Sequence, residues 1–324
     1  MTKKIEIAIM VEGQNGLTWA RWQRIAEMVE DLGFAGLYRS DHFTNGKPPD
    51  LDSLELWVSL TWLASHTRRI AFGSLVSPVS FRHPAMTARM ASAVDDLSGG
   101  RLRLGLGAGW QVREHEHYGF DLLALPQRFE RFQEGLEIIT HLFKNPEPLT
   151  FKGKYFQTQE AVLLPRPQQA GGPPIVIGGT GKRFTLPLVA RYGVEWNALF
   201  IPPEEFITLN GHLDQLLRQN QRSTAEVRRT MMTGLIFGRD QKELQEKLND
   251  RKAEDLRKNG IVFGTPEDVI KQIKELEKAG VQRVMLQWLE LDDLERLEAF
   301  ARLVLPHFAS IESKKRMEIQ SKYH

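Results

Sequence analysis

Eight short β-branched runs, each followed by a segment with helical spacing, predict an α/β protein built as a closed (β/α)8 barrel. Two further observations point the same way. The chain has 324 residues, 41% of them hydrophobic, which suits one barrel with a sizeable core. No low-complexity segment or short repeat interrupts the alternation. An open doubly wound sheet shares that alternation, but the barrel matches strand count and length better. We expect one barrel domain over residues 1–308 with an insertion at about 144–174, and a C-terminal tail at 309–324.

The elements follow in order. Ile5–Met10 is the first strand. Trp19, Trp22, Ala26, Val29 and Gly33 then recur at three- and four-residue steps, which is helical. Ala35–Tyr38 is a strand, 54–65 a helix, Arg69–Val76 a strand, and Pro84–Leu97 a helix stopped by Gly99-Gly100. Leu102–Leu106 is the fourth strand, and Phe129, Phe132, Leu136, Ile139 and Phe143 mark a long helix. Prolines and glycines break the rhythm over 144–174, where Phe151–Tyr155 suggests a short hairpin. Strands at 174–177, 194–199, 229–237 and 283–288 alternate with helices at 182–191, 203–218, 242–248 and 292–305. Between the last two strands, Thr265-Pro266-Glu267-Asp268 opens one more helix with a cap, a first-turn proline and acidic charge, and Gly280 closes it.

Composition excludes several functions. The net charge is +2. Lys314, Lys315, Arg316 and Lys322 against Glu318 put +3 on the last eleven residues, which leaves −1 on residues 1–313. The body therefore lacks the basic face that nucleic-acid binding asks for. The absence of cysteine removes disulfides, thiolate catalysis and cysteine-ligated metals, and fits a reducing, cytoplasmic setting. No apolar run approaches the length of a membrane span, and the run at the N-terminus is too short for a signal peptide.

Barrel enzymes keep their chemistry at the carboxyl ends of the strands. The second strand ends in Ser40-Asp41-His42-Phe43, where a carboxylate beside an imidazole can orient it and tune its proton affinity; a turn cap beside a satisfied loop histidine is the alternative. The third ends in Gly73-Ser74-Leu75-Val76, small enough for a flat ligand to approach. The fourth ends in Gly105-Leu106-Gly107-Ala108-Gly109-Trp110, which lacks the spacing of a dinucleotide-binding loop but leaves backbone bare for a ring, with Trp110 as a wall. Tight barrel packing explains those glycines equally well. The fifth ends in Gly178-Gly179-Thr180-Gly181-Lys182-Arg183. This is no Walker loop, because Arg183 and Val176 stand where Ser/Thr and Gly are required, but its amides and Lys182 suit an anion. Arg113–His117 places two histidines two residues apart, on different sides of a helix, so we expect a charged, solvated helix and no metal. The strands carry almost no lysine, which opposes Schiff-base chemistry, and no nucleophile elbow is present.

Taken together, Ser40–Phe43, Gly99–Trp110, Glu114-His115 with Tyr118-Gly119, Arg128–Arg131, Pro173–Ile175 leading to Gly178-Gly179, and Gly264–Glu267 with Ala279–Val281 resemble the luciferase-like flavin and deazaflavin oxidoreductases. The resemblance runs from near Ile5 to about Pro306. Asp-His-Phe and the G-x-G-x-G-Trp stretch resemble most closely the branch that uses coenzyme F420, whereas FMN branches more often carry Glu-His-His. The resemblance implies a (β/α)8 barrel, a homodimer, and a deazaflavin over the strand ends. It implies that the ring rests on a bulge of the third strand around Ser74 and Leu75, with a cis Ser74–Leu75 bond. It also implies backbone clearance at Gly107, Ala108 and Gly109, the phosphate at Gly178, Gly179, Thr180, Gly181 and Lys182, and Ser40 among the cofactor contacts. Asp41 and His42 would lie beside the redox centre, His42 handling a proton under orientation by Asp41, with Trp110 on the substrate side. The expected function is hydride transfer between coenzyme F420 and a small organic substrate. An FMN-dependent monooxygenase and a non-catalytic flavin-binding protein are the alternatives. The family's sugar-phosphate dehydrogenases carry an acid at the position of Trp110 and a tryptophan near Gly46, and both are missing here, which opposes glucose 6-phosphate as substrate.

Overall fold

Hydrophobic alternation along eight strands closes a parallel sheet on itself in the computed structural model, which describes residues 4–308. In chain order the strands are Glu6–Val11 (β1), Gly36–Arg39 (β2), Ala71–Ser74 (β3), Ser77–Pro78 (β4), Leu102–Gly107 (β5), Leu149–Lys152 (β6), Gln157–Ala161 (β7), Ile175–Gly178 (β8), Glu195–Leu199 (β9), Arg228–Phe237 (β10), Val262–Gly264 (β11) and Arg283–Gln287 (β12). The barrel runs β1-β2-β3-β5-β8-β9-β10-β12, and β12 pairs back to β1 with Met10 opposite Gln287. The helices are Trp19–Asp31 (α1), Leu56–His66 (α2), Pro84–Ser98 (α3), Val112–Tyr118 (α4), Leu125–Lys144 (α5), Thr185–Tyr192 (α6), Pro203–Gln219 (α7), Gln241–Leu248 (α8), Ala253–Lys258 (α9), Pro266–Lys278 (α10) and Leu294–Val304 (α11). The chain is thus a (β/α)8 barrel. Its expected tail at 309–324 lies outside the described residues.

Side-chain alternation separates two cores. Ala8, Met10, Tyr38, Val176, Met232 and Met285 point inward and fill the barrel together with Leu75. Ile7, Ile9, Val11, Leu37 and Phe72 belong to the larger cluster between strands and helices. The amino-terminal end is closed by charge: Arg283 donates to Glu6 at 2.8 and 3.0 Å and to the Tyr38 hydroxyl at 2.6 Å, with Glu195 at 3.6 Å. Burial pushes the Tyr38 phenol up to about 12, so it stays a neutral hydrogen-bonding group.

Two local differences from the sequence expectations, in the third strand and after α8, have plain causes. The third strand is broken: β3 pairs with β2 up to Ser74, and the chain resumes as β4 against β5. The expected hairpin forms as β6 and β7, and Glu134 of α5 holds its turn by accepting the amides of Lys154, Tyr155 and Phe156 at 2.8–3.0 Å. The segment 249–263, to which the sequence assigned no strand or helix, contains α9 and the start of β11. β11 is only three residues long and pairs with the outer half of β10, too short for period-two alternation to show.

Candidate active site

The bulge between β3 and β4 forms the floor of the mouth. The cis bond is Leu75–Val76, not Ser74–Leu75. The reason is register: Leu75 N–H still donates to Arg39 O at 2.8 Å, so the chain leaves the β2 ladder one residue later than expected. Val76 then lies across β5 and β8. A Cβ on Gly107 would sit 2.6 Å from Val76 Cγ2, and one on Gly178 would sit 3.1 Å from Val76 Cγ1. At Gly105 a Cβ would meet Ser74 O at 1.9 Å. The space left by Gly105 and Gly107 is therefore filled by the protein's own bulge rather than kept open for a ring. Gly109, with φ of +83°, instead faces His115 and Ser80. Ala108 is buried beside them.

The two serines expected at the cofactor are engaged internally. Ser40 Oγ accepts from Gly13 N–H and donates to Gln14 Oε1, both at 2.9 Å. Ser74 Oγ donates to Gly105 O at 2.7 Å. Both side chains are buried and hydrogen-bonded within the protein at the strand ends.

Asp41 does not orient His42. Its carboxylate, 2% exposed, accepts from Ser77 Oγ at 2.6 Å and from both terminal nitrogens of Arg82. Burial pushes this carboxyl up, while Arg82 and Ser77 pull it back. The physical cause is the alternation of the chain as it leaves β2: adjacent side chains point to opposite sides, so Asp41 turns toward β4 while His42 turns toward α4.

His42 finds a different acid. Its Nδ1 lies 2.9 and 3.0 Å from the two oxygens of Glu114, and Glu114 also accepts Phe43 N–H at 3.2 Å. Glu114 is 0% exposed. Burial alone would lower the imidazole's proton affinity, but the hydrogen bond and charge of Glu114 outweigh it, so the His42 pKa is raised. Trp110 meets the ring edge-on at 5.5 Å and is 66% exposed, forming a wall that faces solvent. A histidine raised above its ordinary value near 6.5 contributes stability that is present below that pH and fades as pH rises through the folded value. Thermal unfolding of the wild type and His42→Gln should therefore differ more at about pH 5.5 than at about pH 8.5.

The segment expected as a solvated, charged helix is instead half buried. It forms α4, which turns Glu114 and His115 inward. His115 Nδ1–H donates to Gln111 O at 2.7 Å, its Nε2 accepts from Ser80 Oγ at 2.8 Å, and burial lowers its pKa. Among the described residues no cluster of three or more acidic, histidine or cysteine side chains could hold a metal ion. Nor is any described helix long and apolar enough to cross a membrane. Glu114, Gln111, Ser77, Arg82 and Val76 were not legible as site residues. The one signal was position: α4 opens directly after the glycine strand end, so its first-turn acid, Glu114, must lie beside the mouth.

The glycine turn after β8 is pinned on both sides. Gly179 N–H donates to Asn197 O at 2.9 Å, and Gly179 O accepts from Trp196 Nε1 at 2.8 Å. Gly181 O accepts the amides of Thr185 and Leu186, which start α6. A Cβ at Gly179 or Gly181 would meet Thr185 Oγ1 at 3.1 or 3.0 Å. The amides of Thr180, Gly181, Lys182 and Arg183 have no acceptor among the described residues. That run of unpaired donors, with exposed Lys182 beside it, fits a phosphate. A Cβ at Gly178 would lie 3.1 Å from Val76 Cγ1, so the turn adjoins the floor, and its free amides fit a phosphate there.

A family model described as luciferase-like monooxygenase matches residues 5–255. The chain is 27% identical to a 4-hydroxyprotoasukamycin monooxygenase of Streptomyces nodosus subsp. asukaensis, covering 90% of this chain and 88% of the relative. It is 25% identical to an F420-dependent glucose-6-phosphate dehydrogenase of Amycolatopsis mediterranei, over 88% of this chain and 93% of the relative. In three dimensions it matches an F420-dependent secondary alcohol dehydrogenase solved with an F420–acetone adduct. That match has a TM-score of 0.81 at 18% identity and covers 95% of this chain and 100% of that one.

Proposed function

Because the chain belongs to the luciferase-like monooxygenase family and is an oxidoreductase, we propose that it transfers hydride between coenzyme F420 and a small organic substrate. The observation that carries this reading is the His42–Glu114 pair under Trp110, a proton-handling group at the strand ends between the Val76 floor and the amide turn. A bound deazaflavin supplies a carbon centre that exchanges hydride, and the protein supplies position and electrostatics. The amides of Thr180, Gly181, Lys182 and Arg183 would hold the phosphate, and Val76 would support the ring. With Nδ1 tied to Glu114, His42 has Nε2 left to give or take the substrate's proton. Trp110 would shield that exchange from water on the substrate side. An FMN-dependent monooxygenase has the same floor and turn, and the relative from Streptomyces nodosus favours keeping it as the second reading.

Titration of the purified chain with coenzyme F420 and, separately, with FMN tests the choice. The expected outcome is saturable quenching of cofactor fluorescence and a raised melting temperature with coenzyme F420 alone. Tight FMN binding without binding of the deazaflavin would reverse the assignment.

A further inference from the structure

We propose that Glu114 is the positioning residue of this site: it fixes His42 with the proton on Nδ1, so that Nε2 is the nitrogen presented to substrate. The inference deepens the reading of His42 as the proton-handling group and rests on it.

Two observations support the proposal. Both Glu114 oxygens lie within 3.0 Å of Nδ1, and an ionised Glu114 can only accept there. Nε2 has no partner among the described residues, and it is not one of the buried polar atoms left unpaired, so it opens to the mouth. Gln111 closes the other side. Its amide is oriented by Thr44, donating to Thr44 O at 3.0 Å and accepting from Thr44 Oγ1 at 3.2 Å, and its nitrogen lies 3.3 Å from Nδ1, a contact that its second hydrogen makes only when Nδ1 carries no proton.

The other charges around the ring do not replace Glu114. Glu12, at the end of β1, is held by Gln287 at 2.7 Å and Gln14 at 3.1 Å, and adds only a more distant negative field. Asp41 faces Arg82, whose second carboxylate partner is Glu55 at 2.8 Å. Trp110, on the remaining side, carries no charge. One buried acid, Glu114, is therefore the group that faces Nδ1 directly and sets the tautomer of His42.

The first readout needs no cofactor. The full chain is labelled with 15N-histidine, and the His42 signals are assigned by their loss in His42→Gln. In the wild type, the neutral ring should show the Nδ1–H tautomer, and its titration midpoint should lie above the ordinary value near 6.5. In Glu114→Gln the midpoint should fall by about 1–3 pH units, and the corresponding limb of the kcat–pH profile should move with it while cofactor affinity holds. An Nε2–H tautomer in the wild type, or an unchanged midpoint in Glu114→Gln, would overturn the proposal. If Glu114→Gln does not fold, the wild-type tautomer and midpoint decide alone. Absence of redox exchange with either cofactor would overturn the functional reading, while the imidazole titration would still decide the role of Glu114.

Discussion

His42→Ala should lower turnover by about 10²–10⁴-fold, the usual worth of a positioned acid–base group, with cofactor affinity changed far less. The split follows from the layout. The phosphate turn hangs from Asn197 and Trp196 on β9, and the floor is Val76. None of these contacts passes through the imidazole. The variant also leaves Glu114 buried with only Phe43 N–H as a partner, so some loss of stability is expected alongside the loss of rate. Steady-state kinetics with cofactor titration checks the split. Unchanged turnover would remove His42 from proton handling, and an equal loss of affinity would assign it to the cofactor instead.

Arg82→Met should be the most destabilising single change near the site. Asp41 is buried, and apart from Arg82 its side-chain partner is the Ser77 hydroxyl. Removing one member of a buried ion pair costs about 3–5 kcal/mol because the other charge stays buried and uncompensated. For a chain of this size that corresponds to a fall in melting temperature of roughly 4–7 °C. The pH dependence has a definite sign. Burial already pushes the Asp41 carboxyl up, and without Arg82 it rises further. A carboxyl whose folded pKa exceeds its unfolded value near 3.9 destabilises the fold as pH rises through that folded value. The deficit of the variant should therefore shrink on acidification. Glu55→Gln is the contrast: it cuts the other arm of Arg82, but Glu55 is largely exposed, so the cost should stay under about 1 kcal/mol. Equal effects of the two substitutions would show that Asp41 does not depend on Arg82.

Local signals carried the barrel and the address of the site. Alternation in Ile5–Met10, helical spacing from Trp19 to Gly33, and the capped start at Thr265-Pro266 each act within a few residues, and the structure forms a strand or helix at each. The same holds for the hairpin in the insertion and for the glycine turn after Ile177, whose free amides follow from local backbone geometry. β11 escaped because three residues are too few to show a period.

Partnership at the site was a different matter. Asp41 and His42 are neighbours in sequence, and proximity suggested that one serves the other. The structure sends Asp41 to an arginine 41 residues away and His42 to a glutamate 72 residues away. Likewise, the glycines of β5 suggested an open berth, and the bulge of β3 fills it. The sequence by itself determined which residues reach the strand ends, because period and turn chemistry are properties of a few successive residues. Only the tertiary structure decided which of them pair, because that depends on how the ends of β2, β3 and β5 and the start of α4 converge around one mouth, and no local pattern encodes those distances.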